Sequence, residues 1–204
     1  MAVPACCEDR RMLDTLQTRL LALRARDEEV RAELAADGSL FAGYHPRMEA
    51  VHRANAQALR VVIQEYGWPD EELAGPAGAE AAWLVAQHAI GEPSLMRHCR
   101  ALLDQASAVG RVPRWQFAYL DDRIRVFEGK PQRFGTQIDL RPEGPAVHAL
   151  EDASEVDARR QEVGLPAIAV ILARATADSL PTPEEYAAKQ AAGLLWRQKV
   201  GWLE

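Results

Sequence analysis

Apolar residues recur every three to four positions along most of the chain, and that spacing predicts helix. Leu13, Leu16, Leu20, Leu23, Val30 and Leu34 form one such stripe over residues 12–35, broken only around Asp27. Asp37-Gly38 closes it as a turn, and residues 40–44 are a short connector. His45-Pro46 opens a second helix, because proline suits the first helical position and biases its predecessor out of the helical region. Gly67-Trp68-Pro69 stops that helix after Tyr66, and residues 70–76 read as a loop. A third helix over residues 78–90 is apolar on nearly every side, which predicts that it is buried. Gly91-Glu92-Pro93 ends it, Ser94 stands as the cap of a fourth helix over 95–109, and a fifth covers 114 to about 128.

Beyond Gly129 the pattern changes. Residues 129–136 form a polar loop, and 137–140 with 146–150 flank Pro142-Glu143-Gly144-Pro145 as a small hairpin. Short helices follow over 152–163 and 166–174. Thr182-Pro183-Glu184-Glu185 is a capping box with proline at the first helical position, so a last helix covers 183–200. The fold class is mainly α, a multi-helix bundle with a β-hairpin near 137–150. Residues 1–11 read as an N-terminal tail, 12–177 as a single helical domain, and 178–204 as a C-terminal helical extension.

Composition narrows the function classes. With 48% hydrophobic residues the 204-residue chain is no disordered polymer. No apolar run reaches the roughly 18–20 residues of a membrane span. The net charge of -6 argues against a nucleic-acid binder driven by phosphate contacts. Three cysteines, Cys6, Cys7 and Cys99, make neither a disulfide framework nor a C-x-x-C pair. Residues 1–11 have no apolar core of a signal peptide, so a reducing cytoplasm is expected. Cys99 reads as a buried structural thiol.

The informative residues are polar side chains on apolar helical faces. His52 and Asn55 fall on the stripe of Met48, Val51, Leu59, Val62 and Tyr66. His88 lies with Ala81, Leu84 and Val85, and Gln87 lies on the Trp83 and Ile90 side. Asp122 lies with Trp115, Ala118, Tyr119 and Val126, with Arg123 at that stripe's edge. An unpaired buried polar group costs on the order of 1–3 kcal/mol, so these groups are expected to meet one another, water or a ligand. Either they tie helices together as a structural network, or they line a cleft in which a His–Asp pair tunes proton transfer. His45, Glu49 and His52 are spaced i, i+4, i+7, and with His88 they form a candidate zinc or iron site. Against this, His45 precedes proline, Glu49 has Arg53 as an ion-pair partner, and no H-E-x-x-H is present. No G-x-S-x-G, G-x-G-x-x-G or phosphate-binding P-loop occurs. Among five tryptophans, Trp83 and Trp115 are expected in the core. Trp196 and Trp202 on the last helix need a surface on the domain or on a second copy.

The stretches YHPRMEAVHRANAQAL, GWP, AAWLVAQHA and AYLDDRIRVFEGKPQRFGTQ resemble a bacterial protein family, the domain of unknown function numbered 6624. The resemblance covers about residues 27–173 and includes RARDEEVRAELAADGSLFAGYHP. It implies characteristic polar positions at Asp27, Arg31, Asn55, Gln87, His88, Asp122, Arg123, Gln132, Thr136 and Gln137. In its more distant members the position of His52 can carry an acid. It implies no particular reaction.

The expectation from these residues is a small cytoplasmic enzyme with an interhelical pocket, performing hydrolysis or elimination on a small polar or anionic molecule. His88 is the candidate acid/base, Asp122 its orienting carboxylate and Tyr119 a further proton donor. Arg123 is the candidate anion binder, with Asn55, Gln87, Gln132, Thr136 and Gln137 as orienting groups. The alternatives are a helical interaction, immunity or regulatory module, and a metal enzyme using His45, Glu49, His52 and His88. A homodimer through the first or last helix is a further expectation.

Overall fold

A computed structural model describes residues 5–41, 43–175 and 180–203, with side chains described from residue 13 onward apart from Phe41. The side chains of Cys6 and Cys7, and the expected boundary at 177/178, lie outside the described residues. The described chain is mainly helical, with a single antiparallel hairpin. The chain divides into two compact units, Met1–Val112 and Pro113–Glu204.

The first unit holds four helices: α1 (Ala5–Ala36), α2 (Pro46–Tyr66), α3 (Glu71–His88) and α4 (Pro93–Ala108). No glycine or proline occurs between residues 5 and 37, so α1 begins before the residue at which its apolar stripe starts. A 3-10 turn, Ser39–Phe41, follows it. His45 caps α2 by accepting from the Arg47 amide, and Gly67 ends the helix at φ 78° with its amide on the Ile63 carbonyl.

Residues 70–76 are a correction to the expected loop. The Asp70 carboxylate accepts from the Glu72 and Leu73 amides and so caps a first helical turn. At Gly75 (φ 66°, ψ 167°) the backbone leaves the helix, and Pro76 starts the longer segment. Two breakers in a row mark a kink between helical pieces. Pro93 rather than Ser94 starts α4, and the Glu92 carboxylate turns instead to Arg60 and Arg53.

Packing in this unit joins α1 to both α3 and α2. A β-carbon at Gly78 would lie 3.0 Å from Ala74 Cβ and 3.3 Å from Gln17 Cα, so α3 approaches the α1 backbone closely there. Val30, Leu34, Met48 and Val51 form one cluster, onto which Leu40 and Tyr44 pack. Cys99 is a buried free thiol, pushed up to about 12 by burial, which fits a structural role. Trp83 and Trp115 are half-buried rather than enclosed.

The second unit holds α5 (Arg114–Phe127), the hairpin strands β1 (Ile138–Arg141) and β2 (Gly144–Val147), α6 (Val156–Glu162), α7 (Ile168–Arg174) and α8 (Pro183–Val200). The strands pair with Arg141 opposite Gly144, which leaves Pro142-Glu143 as a two-residue turn. Ala118, Phe134 and Val163 form a buried cluster beneath Phe117 and Leu165. Helix α8 reaches back to β1 within this unit. Asp139 accepts from Tyr186 Oη (2.8 Å), Lys189 Nζ (3.1 Å) and Gln190 Nε2 (3.0 Å). Phe127 stacks on Trp202 and tilts against Trp196. The two C-terminal tryptophans thus find their surface within the chain.

Candidate functional site

Asp27 lies on the buried stripe of α1, seven residues after Leu20 and three before Val30. A position on the inward face takes its side chain into the helix packing whatever its polarity. The apparent break in the apolar pattern is therefore a carboxylate delivered to the interior. Its side chain is only 2% exposed.

Two imidazoles meet it. Asp27 Oδ2 lies 2.8 Å from Nδ1 of His88, at the end of α3. It lies 3.1 Å from Nε2 of His52 on α2, but the orientation there makes no hydrogen bond. The two rings tilt against each other at 5.1 Å. The Tyr44 hydroxyl, held by the Val30 cluster, is 2.8 Å from His52 Nδ1, and its ring stacks on that imidazole. Asn55 ties α2 to α1 one turn before Asp27, donating from Nδ2 to the Leu23 carbonyl at 2.9 Å. Asp27 Oδ1 is buried with no hydrogen-bond partner.

The charges follow from this arrangement. Burial alone would raise the Asp27 pKa, but contacts with His52 and His88 outweigh it and hold the carboxyl well below the ordinary range. Burial raises the Tyr44 phenol. A carboxylate held ionised between two imidazoles is an arrangement able to orient a ring and balance its charge during proton transfer. Two nitrogens and a carboxylate oxygen are also a donor set able to hold a transition metal.

The structure brings His52 and His88 together, as expected, with Asn55 bonded one turn away, but it changes their carboxylate. The partner of His88 is Asp27, and Asp122 is engaged elsewhere. From α5, Asp122 accepts from the amides of Arg133 (2.7 Å), Phe134 (3.1 Å) and Thr136 (2.9 Å) and from Thr136 Oγ1 (3.0 Å). Both its oxygens hold the loop before β1. Helical faces reveal which polar groups point inward, while the partner is chosen by tertiary packing.

Several residues expected to contact substrate prove to hold that same loop. Gln132 is fully buried; its Nε2 donates to the carbonyls of Gln137 and His148, and its Oε1 accepts from the Gln137 amide. Thr136 Oγ1 donates to Asp122 and accepts from Gln137 Nε2. Arg123 Nε donates to Gln137 Oε1 at 3.0 Å, and burial lowers its guanidinium to about 10. Tyr119 packs edge-on against Trp115 in the second unit, and Gln87 is buried on α3. The expected metal ligands are also corrected. His45 is occupied as a helix cap, and Glu49 pairs with Arg53 at 2.9 Å. The only His/Cys/Asp/Glu group with ligand spacing among the described residues is Asp27, His52 and His88.

Sequence reasoning missed two participants. Asp27 was signalled by its stripe position and by the family pattern, yet read as an interruption. Tyr44 carried no periodic signal, because it lies in the connector before α2. Arg160 was also missed; fully buried, it donates to the Phe134 carbonyl from α6 and braces the Asp122 loop.

No curated protein and no solved structure matches this chain. Residues 14–180 match the family of unknown function DUF6624, so the chain belongs to that family.

Proposed function

We propose that the chain is a small enzyme with its centre at Asp27, His52 and His88, acting by proton transfer on a small polar or anionic molecule. The observation that carries this reading is the gradient of exposure across a hydrogen-bonded pair. The Asp27 side chain is 2% exposed, while His88, on the same hydrogen bond, is 22% exposed. A buried carboxylate orients the ring, and a ring reachable from solvent exchanges protons with a bound molecule. His88 is the acid/base, Asp27 its orienting carboxylate, and His52 with Tyr44 supports that carboxylate from the other side. Hydrolysis and elimination both fit this set. A cytoplasmic setting goes with the reading, supported by the free thiol of Cys99. No helix among the described residues is long and apolar enough to cross a membrane.

The test is turnover of a panel of phosphate esters, carboxylic esters, amides and β-eliminating hydroxy acids, compared between wild type and His88→Gln. A loss of about 10²–10⁴-fold in the variant, with the circular dichroism unchanged, is expected from removal of an acid/base group. Full activity of a folded His88→Gln protein overturns the assignment.

Association through α8 is a second reading with its own observation. Leu195 is 67% exposed and Leu194 beside it 44%, on α8, whose Trp196 packs against Phe127 instead. That face suits a homodimer or a partner helix.

A further inference from the structure

We propose that Asp27, His52 and His88 together bind a single divalent transition-metal ion of the zinc or ferrous class. One ligand atom from each lies within 4.8 Å of the other two. Tetrahedral ligation at zinc distances separates ligand atoms by about 3.4 Å. The Oδ2 distances of 2.8 Å to His88 Nδ1 and 3.1 Å to His52 Nε2 need to open by about 0.6 and 0.3 Å.

Two further observations point to a cation rather than to a closed hydrogen-bond network. Asp27 Oδ1 is buried and accepts nothing, so a carboxylate oxygen stands desolvated and uncompensated. His52 Nε2, buried as well, faces the carboxylate without a hydrogen bond. With the His52 proton on Nδ1, toward the Tyr44 hydroxyl 2.8 Å away, Nε2 offers its lone pair as a ligand atom. An ion bound by both oxygens of the Asp27 carboxylate takes up Oδ1 together with His52 Nε2 and His88 Nδ1.

The donor types set the class. Two imidazoles and one carboxylate suit zinc or ferrous iron, whereas calcium and magnesium prefer all-oxygen shells. Three protein ligands leave coordination positions open, as in catalytic rather than structural sites. Tyr44 is the outer partner that fixes the tautomer and orientation of His52. The inference rests on this cluster being the functional centre, but not on His88 as the proton carrier. In the loaded protein that work passes to metal-bound water.

The experiment is calorimetric titration of the metal-stripped, full-length protein with Zn²⁺, and with Co²⁺ followed by visible absorption. Expected are one ion per chain and the visible bands of low-coordinate cobalt. Asp27→Asn and His88→Gln should abolish binding, and Tyr44→Phe should weaken it by about 10- to 100-fold. His45→Gln and Glu49→Gln should leave it unchanged. Should Asp27→Asn fail to fold, Tyr44→Phe and His88→Gln carry the same comparison. Binding that is absent, or that survives His88→Gln while His45→Gln removes it, overturns the proposal. Full turnover by the stripped protein also overturns it and leaves the acid/base reading standing. Stoichiometric binding without any turnover supports it while removing the catalytic reading.

Discussion

Asp27 shows how one residue takes its meaning from helical phase. Both imidazoles that meet it come from helices, 25 and 61 residues further along the chain, so no local pattern announces the meeting. Its negative charge is kept by those imidazoles, and removing the charge leaves them facing a neutral amide in a buried setting. Asp27→Asn in the metal-free protein is therefore expected to cost about 3 kcal/mol, the upper range for a hydrogen bond to a charged group. Urea unfolding at neutral pH measures it. A loss under 0.5 kcal/mol, the range of an ordinary surface substitution, contradicts the burial argument.

At the scale of elements, the loop before β1 is organised around one carboxylate. Three backbone amides and a hydroxyl converge on Asp122, while Arg160 takes the Phe134 carbonyl from the opposite side. Asp122→Ala strands those amides, at a cost of about 3 kcal/mol, the upper range for a hydrogen bond to a charged group. Hydrogen exchange should report it as lost protection at Arg133, Phe134 and Thr136. The loop also needs Gly135, where φ is +62° and an added β-carbon would lie 2.7 Å from Ile168 Cδ1. The docking of α8 carries a pH signature. Burial alone raises the Asp139 pKa, but hydrogen bonds from Tyr186 and Lys189 outweigh it and leave the pKa lowered. A carboxyl depressed in the folded state adds stability above its unfolded value, and the gain fades as pH falls toward the folded value. The stability difference between wild type and Asp139→Asn should accordingly shrink as pH falls below about 4. A difference independent of pH from 7 to 3 rules out this clamp.

The whole molecule puts the legible and illegible parts side by side. Helix ends marked by chemistry were readable: Pro46, Gly67 and the Thr182–Glu185 capping box all stand where local rules place them. The hairpin was readable from its turn residues. Illegible were the facts that need a third dimension. His88 pairs with Asp27 rather than Asp122. Asp122 was rightly found as an inward polar group, while Gln132 and Thr136 were marked by the family resemblance. Their neighbours proved to be their own loop, and inwardness is the same signal for a brace and for a binding group. The family match runs through both units and stops at residue 180. Helix α8 lies past that limit, yet its Tyr186 and Trp196 reach Asp139 and Phe127 inside it.

The stripe of α1 has a consequence for how this chain tolerates change in length. Leu16, Leu20, Asp27, Val30 and Leu34 share one face because the count between them is in step with the helical repeat. One alanine inserted between Leu23 and Arg24 turns everything beyond it by about 100°. Either Leu16 and Leu20 keep the interior, or Asp27, Val30 and Leu34 do. The insertion is expected to destabilise the chain by more than about 3 kcal/mol, the scale of losing a buried leucine. The same alanine inserted between Ala36 and Asp37, past the last buried leucine, should cost far less; chemical denaturation of the two insertions compares them. Helix α1 thus behaves as a ruler: between Leu16 and Leu34 its length is written in whole turns, and drift in length is confined to its ends.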